Sequence, residues 1–127
     1  MAFAPTPDDV DGFPTEARWA YERLLSLDLQ PRASLADQVD RHLVDLEEAR
    51  DEVLDLTTAR ELARTSHRLL ALYAEAPEPE RRLIQAAVLY FVLDQDALPD
   101  RRSRTGLEDD ARVLRAVAAH LDRRSDR

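Results

Sequence analysis

Cysteine, lysine and asparagine are absent from this 127-residue chain, and glycine occurs only at Gly12 and Gly106. Without cysteine there is no disulfide, no thiolate nucleophile and no Cys-ligated zinc or iron–sulfur centre. Two glycines cannot furnish a Gly-rich phosphate cradle, and the chain has neither a P-loop nor a G-x-S-x-G nucleophile elbow. All 18 basic residues are arginine, which reads as the codon bias of a GC-rich genome rather than as chemistry. Strand signals are missing as well, with no alternating β-branched run and no hairpin turn of the Asn-Gly type. The longest apolar stretch, Leu83 to Leu93, is interrupted by Gln85 and falls far below the roughly 20 residues a membrane span needs. The opening MAFAPTPDDVDG has no basic region and no sustained apolar run, so no signal peptide is expected and the protein should be soluble and cytoplasmic.

What is present is a helical pattern. With 44% hydrophobic residues the chain can close one core and is too short for two ordinary domains. Residues 1–12, rich in Pro and Asp, read as a flexible arm, 13–122 as one helical domain and 123–127 as a tail. The net charge of −8 is concentrated between Asp37 and Asp55, where eight acids face only Arg41 and Arg50. Such a surface repels phosphate backbones, so no nucleic-acid partner is expected. It reads as a solvated helix face or as a docking face for a basic partner.

The periodicity predicts about five helices in a compact all-α bundle. The first starts near Pro14 and ends before Pro31, with Ala17, Ala20, Tyr21 and Leu24 on one face and Trp19 and Leu25 widening it. The second opens at Ser34, where Ser34 and Asp37 have capping-box spacing, and carries the stripe Leu35, Val39, Leu43, Leu46, Val53 and Leu56. Downstream, Ala59, Leu62, Ala63, Leu69, Leu70 and Tyr73 shift to the opposite side. Either the helix breaks at Thr57 and Thr58, or one long helix packs its halves against different partners. The pair Pro77 and Pro79 forces a turn. A helix from about Glu80 to Leu93 follows, apolar on nearly every side in its later turns and therefore central. The last helix, about Leu107 to Leu121, shows Leu107, Ala111, Leu114, Val117, Ala118 and Leu121 at helical spacing and is expected to pack on one face only.

One segment has a residue order that packing alone does not explain. Tyr90 is followed by Asp96-Ala97-Leu98-Pro99-Asp100, five residues, and then Gly106-Leu107-Glu108-Asp109-Asp110-Ala111. This order resembles the YkvA-like family of bacterial domains of unknown function, over roughly residues 62–118. The resemblance implies a small helical domain in which this signature forms the bend of a C-terminal helical hairpin, and it implies no established activity. The chain departs from the family in having Asp94-Gln95 where Pro-Ile is usual, and a polar Arg101-Arg102-Ser103-Arg104-Thr105 where the bend is usually apolar. Any membrane or apolar contact made through that loop should be lost, so no peripheral membrane contact is expected.

The candidate functional residues are thus Tyr90, Asp96, Pro99, Asp100, Gly106, Asp109 and Asp110. Thr105 and Glu108 have capping-box spacing, and Glu108, Asp109 and Asp110 fall in a first helical turn, where the dipole favours acids. Asp96 and Asp100 lie at the end of the preceding helix, where it disfavours them, and Arg101, Arg102 and Arg104 are the nearest compensating cations. The competing reading joins Asp96, Asp100, Asp109 and Asp110 as hard oxygen ligands of a divalent cation; otherwise no cofactor is expected. An EF-hand does not fit, because counting from Asp94 its obligatory glycine position holds Pro99 and its bidentate glutamate position Thr105. Tyr90 either donates to a motif carboxylate or is a core aromatic with its hydroxyl at the edge. His42, His67 and His120 are scattered, without metal-ligand spacing, and no catalytic residue is assigned.

Three functions follow as expectations. The leading one is a non-enzymatic interaction or scaffold module that self-associates or docks a protein partner through the apolar stripe of the second helix. The second is a divalent-metal-binding domain or metal-dependent hydrolase using the bend aspartates. The third, resting on the Asp37 to Asp55 helix, is an acidic antitoxin-like inhibitor.

Overall fold

The computed structural model describes residues 18–49, 56–93 and 105–125. The expected arm, the Pro14 helix start, Val53 and the C-terminal residues Asp126 and Arg127 lie outside them. Five helices are present, α1 (Arg18–Leu25), α2 (Arg32–Ala49), α3 (Leu56–Tyr73), α4 (Glu78–Leu93) and α5 (Thr105–Ser125), and no strand occurs among the described residues.

Helix α4 is the centre of the all-α bundle. Every residue from Leu83 to Leu89 is buried, as is Phe91, and α1, α2, α3 and α5 all pack against it. Its run Leu83-Ile84-Gln85-Ala86-Ala87-Val88-Leu89 has no polar side to turn to water, so neighbours must enclose it. It begins at Glu78 rather than Glu80, because the Pro77 carbonyl accepts the Arg81 amide at 3.0 Å and Pro79 then falls in the first turn. An amide there has no intrahelical partner, so proline is tolerated.

α2 and α3 are separate helices folded back on each other. Asp40 meets His67 at 2.8 Å and Glu47 meets Arg60 at 3.1 Å, so partners retreat along α3 as the chain advances along α2. α2 runs to Ala49 and α3 from Leu56, so Thr57 and Thr58 belong to α3; residues 50–55 lie outside the described residues. The reversal explains why the apolar stripe moves: each half turns its own face to a shared core. Both cross-helix pairs are exposed, so Arg60→Ala should lower stability by under about 1 kcal/mol in a urea titration. A loss above about 2 kcal/mol would show that the pair does more than decorate the surface.

The start of α2 corrects the expected capping box. The helix opens at Arg32, and the Pro31 carbonyl accepts the amides of Ser34 (3.0 Å) and Leu35 (3.2 Å). The Ser34 hydroxyl instead meets the Gln30 Oε1 at 3.3 Å, while Asp37 pairs with Arg41 at 3.0 Å. The stripe of α2 is turned inward, with Leu35 and Val39 fully buried and Leu43 and Leu46 packed against the core. Docking a partner through it would require pulling α2 off the bundle.

α5 uses more than one face. Besides Ala111, Leu114, Val117 and Leu121, it buries Asp110, Val113 and Ala116, because both α3 and α4 pack against it. Arg112 and Arg115 stay exposed.

Candidate functional site

α1 ends at Leu25, well before Pro31, and residues 26–31 cross the bundle as a strap tied down by side chains from α3 and α4. The carbonyls at its start are tightened by Ser26 and Leu27 amides donating to Arg23 and Leu24, with the Ser26 hydroxyl donating to Arg23 at 2.8 Å. Gln85, 1% exposed, holds the far end: its Oε1 accepts the Gln30 amide at 2.7 Å and its Nε2 donates to the Asp28 carbonyl at 2.9 Å. The Tyr73 hydroxyl donates to the Gln30 carbonyl at 2.6 Å. Arg82 donates to the carbonyls of Leu25 and Leu27, at 3.2 and 3.0 Å. Tyr21, fully buried, donates to the Leu83 carbonyl at 2.9 Å.

Arginine serves this end of the molecule as a helix cap. Arg82 meets the C-terminus of α1, Arg32 Nε donates to Leu70 at the end of α3 (3.0 Å), and Arg81 donates to Ala74 and Ala76 just beyond it, both at 2.8 Å. Terminal carbonyls have no partner within their helix, and guanidinium donors satisfy them. Burial pushes the phenols of Tyr21 and Tyr73 above their ordinary range; for Tyr73, Arg81 and Arg82 act in the opposite sense. Both hydroxyls therefore remain protonated donors. These bonds satisfy backbone amides and carbonyls and fix the geometry of the strap and helix ends.

The bend motif is only partly described. Asp96, Pro99 and Asp100 lie outside the described residues, as do Arg101, Arg102 and Arg104. Tyr90 is half-buried near the end of α4 and has a partner. Gly106 and Asp109 belong to α5, and the surroundings of the Thr105, Glu108 and Asp109 side chains are outside the described set. Asp110 is 3% exposed and engaged by a neighbour. Because α5 starts at Thr105, Asp110 falls in its second turn, on the inward face that continues through Val113 and Leu114. The first-turn dipole argument therefore does not account for Asp110. Among the described residues, no group of three or more His, Asp or Glu could hold a metal ion. The four bend aspartates are not all within that set.

An acidic surface runs along the outer side of α2. Asp37, Asp40, Asp45 and Glu48 are exposed there, and Val44, among them, is 47% exposed. Asp37 and Asp40 are matched by Arg41 and His67. On the opposite side His42 is half-buried, its ring edge-on to Phe91 at 4.9 Å. Sequence reasoning missed the weight of Gln85, Tyr73 and His42. The one available signal was a lone amide inside the most apolar stretch of the chain, since a glutamine kept in such a place has to be hydrogen-bonded.

No described helix is long and apolar enough to cross a membrane. No family model, curated protein or solved structure matches this chain.

Proposed function

We propose that this chain is a divergent YkvA-like helical domain that acts in the cytoplasm as a non-enzymatic interaction module, docking a basic helical partner along the outer face of α2. The observation that carries the reading is Val44, 47% exposed in the middle of a helix face that carries Asp37, Asp40, Asp45 and Glu48 against Arg41. An apolar contact point in a predominantly acidic face is complementary to an amphipathic helix carrying arginines beside a leucine. The inner face of α2 supports the same reading, because Leu35 and Val39 anchor it to the core and present the outer face on a fixed frame. The order of Tyr90, Pro99, Gly106 and Asp110 supports the family proposal.

The test is a titration with a synthetic Arg/Leu amphipathic helical peptide, followed by amide chemical shifts. Shifts should map to α2, weaken with salt, and fall about tenfold or more in affinity in D37N/D45N/E48Q and in Val44→Ser. Glu61→Gln, an exposed acid on α3, should bind as the wild type does. Binding that is indifferent to the triple substitution, or equally weakened by Glu61→Gln, would reduce the acidic face to a solvated surface. A thermal shift with Mg²⁺, Mn²⁺ or Ca²⁺ that disappears in D96N/D109N would favour the bend aspartates as a cation site instead.

A further inference from the structure

We propose that His42 is a proton-operated release for α2, holding the helix on α4 while the imidazole is neutral and loosening it when the ring is protonated. Its Nε2 is buried and has no hydrogen-bond partner, and the ring stands edge-on to Phe91 at 4.9 Å and 87°. Phe91 itself is fully buried. A neutral imidazole tolerates this place, because one ring nitrogen then carries no proton and can go without a donor at small cost. Protonation puts an N–H with no acceptor and a positive charge against an apolar wall.

Among the described residues, the charges around the ring do not rescue it. On α2, Asp45 attracts the cation, but burial outweighs it and holds the imidazole below its ordinary value. On α3, Arg60 and His67 meet α2 by pairing with Glu47 and Asp40, and Arg64, on the same stripe by helical spacing, is an exposed cation that would not favour a second positive charge. On α4 the stretch from Leu83 to Val92 carries no charged residue and only Tyr90 as a titratable one. Arg81 and Arg82 bind carbonyls at the opposite end of that helix. The native state therefore takes up the His42 proton later than the unfolded chain does. The stabilising contribution is complete above about pH 6.5 and is lost as the pH falls from there toward the lower folded value. Because α2 carries the docking face proposed above, the release would also gate that face. The release itself needs no partner and stands or falls without that reading.

The experiment is amide hydrogen exchange, corrected for the intrinsic rate, on the full chain. Between about pH 7.5 and about pH 5.5, α2 amides should lose about tenfold protection relative to those of α4. His42→Phe should abolish the loss, and His42→Gln serves if the phenylalanine variant does not fold. His67→Gln should retain the loss, which separates the two histidines. Unchanged α2 protection in the wild type, or an equal loss in both His42 variants, overturns the proposal. So does an NMR titration of the His42 ring with a midpoint at or above about 6.5.

Discussion

Phe91→Ala is expected to lower stability by about 3–5 kcal/mol, the largest single effect in this fold. Phe91 is fully buried near the end of α4, the helix against which α1, α2, α3 and α5 all pack. Removing its ring also deprives the His42 imidazole of the surface it packs on. The cost combines lost transfer free energy with the cavity left behind, because neighbours on separate helices cannot all close the gap. For a domain of this size such a loss is a large share of a total of about 5–15 kcal/mol. Reversible urea unfolding measures it, with Leu72→Ala as the comparison: Leu72 is 47% exposed and should cost under about 0.5 kcal/mol. A Phe91→Ala loss below about 1 kcal/mol would mean that α4 is not the close-packed centre described above.

Gln85→Leu follows, with an expected loss of about 2–4 kcal/mol despite a more apolar side chain of similar size. The substitution leaves the Gln30 amide and the Asp28 carbonyl without their partner. Both bonds are part-buried, and each group left without its partner costs about 1–3 kcal/mol, more than leucine regains by transfer. Tyr73→Phe should cost less, about 1–2 kcal/mol, since only the Gln30 carbonyl loses its donor. The Tyr73 hydroxyl lies 3.4 Å from Gln85 Oε1, and both residues bind Gln30, so the double substitution should cost less than the sum of the singles. Exchange at residues 28–30 gives a second readout: it should quicken in Gln85→Leu while the amides of α5 keep their protection. Additive effects with unchanged exchange in the strap would show that Gln85 merely fills space.

Much of the fold was legible in the sequence. The stripe Ala59, Leu62, Ala63, Leu69, Leu70 and Tyr73 predicted the buried face of α3, and every one of those residues is buried. The all-round apolar run of α4 predicted its central place. The prolines bounded α2 and α4 to within a turn. The capping box at Ser34 was misread because its spacing is only a local pattern, whereas Gln30 is drawn to Ser34 by contacts from α4. The candidate site was less legible: Asp110 reads from the sequence as a first-turn acid favoured by the helix dipole and instead falls in the second turn, buried. Asp96, Pro99 and Asp100 lie outside the described residues.

The sequence by itself determined the helices, because side-chain periodicity and proline act within a few residues along the chain and need no partner. It also determined the strong negative charge and the exclusion of cysteine chemistry. Only the tertiary structure decided that α2 and α3 fold back on each other, that the apolar stripe of α2 is spent on the core, and that Val44 is left outside among the acids. The physical reason is distance along the chain. The bonds that settle these matters join Gln85 to Asp28, Tyr73 to Gln30 and His67 to Asp40, residues whose proximity no local pattern encodes.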